Sequence, residues 1–369
     1  MFPYSNNRVI AEINLKNLLF NFRSLKKQVK NADIIPVIKA DAYGHGAIAA
    51  AKTLIKEKVK LFAVASFQEA MELKDSGINT PILILGSVFP NRLKDAVKAG
   101  LKITVSCCED LLILKKTALK TKAFIHVKID TGMGRRGIFA KEAPAFFSDF
   151  INLSNCVLEG IYSHFATSDT FNDYAGIQLE KFNRLILLLF KKGIKPKTVH
   201  MANSGAILNI PESYFDAVRP GISLYGHYPS SNSLKPIKLK QVMSLKSYVE
   251  QVRKIPADYS VSYGRRWISK KETSIAVISA GYADGVDRRL TNKGKALIKG
   301  KKYPIVGTVT MDYIMVDIGD DPIFVGDEVI IWGGCKDNSI KLLDLAEQIN
   351  TIPYELTCGV SKRVKRVYI

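Results

Sequence analysis

Lys39 stands where an apolar run, residues 34–38, meets the small-residue turn ADAYGHG at 40–46. Burial at the mouth of a strand disfavours an ammonium ion, so a lysine there can be a nucleophilic amine near neutral pH, suited to a Schiff base. A side chain that snorkels from the strand end to water is the competing account, and the rest of the chain decides between them. Ser204 and Gly205 open a helix-like turn, and Gly221 lets backbone approach a ligand with N–H groups pointing outward. Placed opposite a buried lysine, these groups describe a site for an aldehyde that bears a phosphate. Further residues with chemical potential lie in KIDTGMGRRG at 128–137, in HMANSGA at 200–206 and in AVRPGISLYG at 217–226, with His164 between them.

The elements that must position these residues alternate between two periods. β-like apolar runs occur at 33–40, 60–66, 81–86, 102–106, 123–130, 158–165, 198–203 and 216–225, and amphipathic helix-like segments follow most of them. Strands alternating with helices over about 230 residues predict an N-terminal (β/α)8 TIM barrel, with a doubly wound open sheet as the competitor. The chemically interesting residues favour the barrel. Lys39, the segment after 123–130, His164 and the ends of the last two runs all fall at C-terminal strand ends, which converge on one mouth. A polar Ser/Pro stretch at 228–236 then marks a linker. Beyond it, β-like runs at 242–255, 274–283, 302–319 and 327–334 and one helix candidate at 340–349 predict a mostly β second domain. The expected division is 1–233 for the barrel and 234–369 for the β domain.

Composition narrows the function classes. A chain of 369 residues with 47% hydrophobic content should be globular throughout. It has no apolar run long enough to span a bilayer, and residues 1–8 lack a signal peptide's basic start and apolar middle, so the cytoplasm is expected. The five cysteines include no CxxC spacing, which fits reduced thiols rather than a disulfide scaffold or a metal site. The balance of 54 Lys+Arg against 34 Asp+Glu gives a net charge of +20. The positive residues are spread over helix-like segments without interleaved aromatics, so a solvated basic surface is expected rather than nucleic-acid binding.

Seven motifs in order resemble the alanine racemases: VIKADAYGHG around Lys39, KIDTGMGRRG, NSGA, VRPGISLYG, SYGRRW at 262–267, GYADG at 281–285 and VGTVTMDYIMVD at 306–317. The resemblance runs from AEINLKNLLFN at 11–21 to TIPYEL at 351–356 and covers essentially the whole chain. It implies pyridoxal 5'-phosphate (PLP) bound through Lys39. Tyr43, His164, Asn203, Ser204, Arg219, Gly221, Ile222 and Tyr354 are implied as the other cofactor-binding residues. Arg219 is implied to face the ring nitrogen; a guanidinium can only donate, so that nitrogen would be an acceptor and the ring a weak electron sink. The resemblance also implies two catalytic bases on opposite faces of the substrate, Lys39 and Tyr263. Arg135, Tyr282, Met311 and Asp312 are the implied substrate-binding residues. Tyr263, Met311 and Asp312 would reach the site of the other subunit of a head-to-tail homodimer.

Lys128 is carbamylated in some members of that family, where it orients the residue corresponding to Arg135. Thr310 stands where some relatives have cysteine. The expected activity is interconversion of L- and D-alanine, supplying D-alanine for peptidoglycan; a racemase of broader range, accepting serine, is the alternative. A PLP-barrel decarboxylase would have an acidic partner for the ring nitrogen where this chain has Arg219. A single-barrel PLP-binding homeostasis protein would not need residues 234–369.

Overall fold

The computed structural model describes residues 7–117, 121–170, 172–335 and 338–369, so most of the segment 1–8, read above for signal-peptide features, lies outside the described residues. Eight parallel strands curl into one sheet. Their order is Asp33–Ile34, Ala217–Val218, Thr198–His200, Cys156–Tyr162, Ala123–Asp130, Lys102–Val105, Ile82–Ile84 and Phe62–Val64. A bridge between Val37 and Ala63 closes the circle. The first segment is thereby held on both sides: Ile35 N–H donates to Val218 O (2.8 Å) and Ile38 N–H to Ala63 O (2.9 Å). Strands such as Phe62–Val64 and Ile82–Ile84 are buried on both faces, which explains why they read as unbroken apolar runs.

Helices cover the outside of the barrel through apolar stripes. Leu15–Val29 buries Leu18, Asn21, Phe22, Leu25 and Val29, a spacing of three and four, and Asn14 caps it by accepting the Asn17 N–H at 2.9 Å. Each fully buried leucine of such a stripe contributes roughly 1.5–3 kcal/mol.

Several runs are shorter than the sequence predicts. Only Ala217–Val218 of the segment 216–225 joins the ladder, because Pro220 has no N–H to donate, and Ile222–Tyr225 coils into a 3-10 turn. The sixth strand stops at Tyr162, which leaves His164 two residues beyond it.

The second sheet is antiparallel for the most part and is built on the long strand Met243–Ile255, flanked by Thr273–Ile278 and Glu328–Cys335. The strand Ile10–Ile13 also belongs to this sheet: it pairs antiparallel with residues 243–246 and parallel with Lys365–Tyr368. The chain therefore begins its described course in the β domain and crosses to the barrel at the Leu15–Val29 helix. Leu342–Gln348 is the expected helix, and a second, Pro353–Cys358, brings Tyr354 back to the barrel mouth.

Candidate active site

Lys39 opens a turn that is left-handed. Ala40, Asp41, Ala42 and Tyr43 all have φ between 51° and 56° with ψ between 39° and 51°. This conformation costs a non-glycine residue roughly 1–2 kcal/mol, so four in succession persist only where surroundings hold them. The restraints come from several directions. Asp41 Oδ1 accepts the Ala47 N–H (2.7 Å), Glu69 Oε1 accepts the Ala40 N–H (2.8 Å), and Arg366 Nε donates to Gly44 O (3.1 Å). Gly44 is required by contact as well as by φ, since a Cβ there would sit 2.3 Å from Thr357 O.

The Lys39 side chain enters a cavity of about 540 Å³ at the barrel mouth. Lys128, Arg135, Arg136 and Arg219 line the same space, and among the described residues no Asp or Glu does. Burial first, then the Arg135 charge, hold the Lys39 amine below its ordinary pKa, while Glu69 and Cys358 act in the opposite direction. Lys128 is pushed down to about 8, by burial and then by the Arg135, Arg219 and Arg136 charges. A cavity with this excess of positive charge is an electrostatic trap for phosphate and carboxylate.

Arg219 is 4% exposed and serves as the hub of a buried network. Its Nη1 contacts His200 Nδ1 (2.6 Å) and donates to His200 O (3.0 Å). Its Nη2 donates to Ser163 O (2.6 Å) and Met201 O (3.0 Å) and lies 3.3 Å from His164 Nδ1. A guanidinium only donates, so both facing Nδ1 atoms must be acceptors and both rings carry their proton on Nε2. His200 Nε2 then donates to His126 Nδ1 at 3.0 Å, which fixes the third tautomer. Burial and the Arg219 charge hold His164 and His200 well below the usual imidazole range, and His126 falls to about 3 through burial, then Lys102 and Arg219. Arg219 itself, pushed down by burial to about 10, remains a cation at neutral pH. It lies over the Tyr162 ring at 5.0 Å.

The opposite wall is rich in hydroxyls. Ser204 Oγ accepts from Gly221 N (2.9 Å) and Ser223 N (3.2 Å), which engage its two lone pairs, and contacts Ser223 Oγ (3.0 Å). The Gly221 N–H, expected to face outward, is therefore satisfied by the protein. Gly221 is needed for close approach: a Cβ would lie 2.4 Å from Tyr43 Oη. Tyr43 packs between Tyr225 (5.0 Å) and Tyr354 (5.9 Å), and burial raises the pKa of both Tyr43 and Tyr354. Asn203 lines the cavity, but its Oδ1 caps the helix Ser204–Asn209 and accepts from Ser168 Oγ (2.7 Å). Ile222 is fully buried behind this wall.

Tyr263, Tyr282 and Met311 do not line this cavity. They lie on adjoining loops of the β domain: Thr308 Oγ1 donates to Tyr263 O (2.7 Å), and Tyr282 N–H to Thr310 O (2.9 Å). All three are exposed, at 75%, 43% and 53%. Tyr263 sits on a strained tip, with Ser262 at φ 68° and Arg265 at φ 47°. Asp312 ends this patch in ion pairs with Arg8 (3.4 Å) and Arg363 (2.9 Å).

Sequence reasoning missed His126, His200, Tyr162 and Arg136, which complete the walls and the network. One signal was available: His200 opens the HMANSGA motif that already supplied Asn203 and Ser204. Cys358, to which no chemistry was assigned, also lines the cavity. Cys107, Cys108, Cys156 and Cys358 are free thiols. Among the described residues no helix is long and apolar enough to cross a membrane.

Comparison with known proteins places the site in context. Residues 13–229 match the family "Alanine racemase, N-terminal domain" and residues 242–368 the family "Alanine racemase, C-terminal domain". The chain is 41% identical to the alanine racemase of Carboxydothermus hydrogenoformans, over 98% of this chain and 99% of that one. It is 44% identical to alanine racemase 1 of Caldanaerobacter subterraneus subsp. tengcongensis, over 97% and 94%. Among solved structures it superposes on alanine racemase of Clostridium difficile with a TM-score of 0.91 at 39% identity, covering 98% of this chain and 96% of that one. Alanine racemase of Bacillus anthracis, solved with bound L-Ala-P, matches with a TM-score of 0.90 at 33% identity, covering 98% and 95%.

Proposed function

Because this chain belongs to the alanine racemase family, we propose that it interconverts L- and D-alanine with PLP at Lys39, by a two-base mechanism in which Lys39 and Tyr263 work on opposite faces of the substrate. The observation that carries this reading is the cavity: an amine with a lowered proton affinity, a donor-only guanidinium, a serine hydroxyl and tyrosine hydroxyls surround one space that, among the described residues, has no carboxylate in its lining. That donor set fits an aldehyde, a ring nitrogen and a phosphate. Lys39 would take the aldehyde, Arg219 would face the nitrogen, and Ser204, Tyr43 and Tyr354 would bind the phosphate beside Gly221 and Ile222. Asn203 would shape that wall through its cap, and His164 would act through Arg219. When bound, PLP supplies the electron sink that makes the Cα proton of alanine removable.

The protein's own groups then do the positioning and the proton transfer. Arg219 stays a cation at neutral pH and only donates, so a ring nitrogen held against it would stay an acceptor, and the sink would be weaker than one paired with a carboxylic acid. A weaker sink favours rapid return of the proton over decarboxylation, which argues against the decarboxylase alternative. Lys39 Nζ holds or takes the proton on the D side. Tyr263 Oη serves the L side, and its exposure outside its own chain's cavity supports delivery to the cavity of a second subunit in a head-to-tail homodimer. Tyr282, Met311 and Asp312 would arrive with it. Arg135 would hold the substrate carboxylate, and a carbamate on Lys128 would offset the positive charge beside it. D-alanine made in the cytoplasm would serve peptidoglycan synthesis.

Exchange in deuterated water tests the proposal. Both enantiomers should gain deuterium at Cα, and Tyr263→Phe should abolish exchange from L-alanine while sparing some from D-alanine. Equal residual exchange from both enantiomers in that variant would refute the two-base assignment.

A further inference from the structure

Ala40 N–H is placed where the ordinary backbone acceptors are taken. In a right-handed helix it would donate to Pro36 O, but that carbonyl accepts the Ala63 N–H at 3.0 Å in closing the barrel. Glu69 replaces it: Oε1 accepts the Ala40 N–H (2.8 Å), while Oε2 accepts the N–H groups of Ala65 (2.6 Å) and Ser66 (3.3 Å). One carboxyl group thus ties the residue after Lys39 to the end of the neighbouring barrel strand. Glu69 also serves the helix Phe67–Asp75, where Ser66 and Glu69 form a reciprocal cap.

We propose that Glu69 is a positioning residue for Lys39: by gripping Ala40 N–H with one oxygen and the Ala65–Ser66 backbone with the other, it holds the left-handed turn and sets the direction of the lysine amine. The inference rests on the reading of Lys39 as the residue that takes up PLP. Only a carboxylate of this length suits the position. A glutamine keeps one acceptor and turns an NH2 group towards the other N–H donor, and an alanine leaves Ala40 N–H to water.

The cap and the clamp are separable, because Ser66→Ala removes the reciprocal half of the cap and leaves both Glu69 contacts with Ala40 and Ala65. The test compares the full-length protein with Glu69→Gln, Glu69→Ala and Ser66→Ala, each stripped of cofactor. Measured quantities are PLP affinity by titration, acylation of Lys39 by an amine-directed reagent relative to exposed lysines by mass spectrometry, and Tm. In both Glu69 variants PLP affinity should fall by about fivefold or more. Lys39 acylation should rise by about threefold or more as the turn loosens and the neighbouring negative charge is lost. Ser66→Ala should lower Tm with PLP affinity and acylation unchanged. If the Glu69 variants behave as Ser66→Ala does, Glu69 is only a cap and the proposal is overturned. Should Glu69→Ala fail to fold, the near-isosteric Glu69→Gln decides. If the unaltered protein takes up no PLP, the cofactor reading fails instead, and acylation alone decides the role of Glu69.

Discussion

If the site is shared between two subunits as proposed, two inactive variants should regenerate it together. Lys39 lies in the cavity of its own barrel, whereas Tyr263, 75% exposed, lies outside that cavity on a loop tip of the β domain. Lys39→Ala and Tyr263→Phe should each leave activity near background. Mixed in equal amounts and allowed to exchange subunits, they should form mixed dimers as about half of all dimers. Each mixed dimer has one site built from the Lys39 of the Tyr263→Phe chain and the Tyr263 of the Lys39→Ala chain, and one site that lacks both. About a quarter of all sites are therefore intact, and racemisation followed by circular dichroism should recover to about a quarter of the unaltered rate. The complementary mixture uses the unaltered chain with the double variant. Sharing leaves only the unaltered homodimers active, again about a quarter of sites, whereas a site built within one chain would leave about half. Recovery no greater than the sum of the two parents would refute sharing, since a chain lacking either group can never complete its own site.

Three further outcomes follow from the geometry. Gly221→Ala places a methyl 2.4 Å from Tyr43 Oη, so Tyr43 should be displaced and PLP affinity weakened with little change in Tm; unchanged affinity would show that Tyr43 does not form the phosphate wall. Lys128, with a pKa of about 8, has a substantial neutral fraction just above neutral pH, and carbamate forms on the neutral amine; a carbon-13 carbamate signal from labelled bicarbonate should grow as pH rises through that value and vanish in Lys128→Ala. Buried histidines should make the fold acid-sensitive. His126 and His227 are pushed down to about 3 and His45 to about 4, chiefly by burial, so the native state refuses protons that the unfolded chain accepts below about 6.5. Their contribution is intact above that pH and is lost by about 1.4 kcal/mol per pH unit for each histidine on acidification. Because the slope is only half-developed at pH 6.5, each should lose about 1 kcal/mol between pH 6.5 and 5.5, together roughly 3 kcal/mol out of a typical 5–15 kcal/mol, and equal urea midpoints at pH 7 and 5.5 would contradict this.

The convergence of Lys39, Lys128, Arg135, His164, Ser204 and Arg219 on one mouth was legible because each lies within or just after a β-like run, and a parallel barrel brings the ends of such runs together. The short ladder at Ala217–Val218 was legible in part, through Pro220. What was not legible depends on partners remote in sequence. Of Ala40, Asp41, Ala42 and Tyr43 only the aspartate leans towards a left-handed conformation; Glu69 and Arg366 restrain the turn from other elements. The histidine network was hidden for a different reason. His126 lies within a strand and His200 ends one, positions that look like ordinary core until Arg219 supplies donors on one side only.

The β domain consequently has obligations in two directions. Towards its own barrel it supplies Arg366, whose guanidinium joins Gly44 O to the carbonyls of Val360, Ser361 and Val364, and the Pro353–Cys358 helix that brings Tyr354 and Cys358 to the cavity. Away from it, the same domain presents Tyr263, Tyr282 and Met311 on exposed loops. A barrel separated from its β domain would lose the Arg366 restraint on a turn that costs roughly 1–2 kcal/mol per left-handed residue. Lys39 would then lose its orientation in the same chain that had kept its lysine. Supplying the β domain as a separate polypeptide should accordingly fail to restore activity unless it also re-forms the parallel pairing of Ile10–Ile13 with Lys365–Tyr368, because that pairing carries Arg366 to Gly44. Rescue in trans by a β domain that lacks residues 365–369 would show that the turn holds itself, and the two roles of the domain would then be independent.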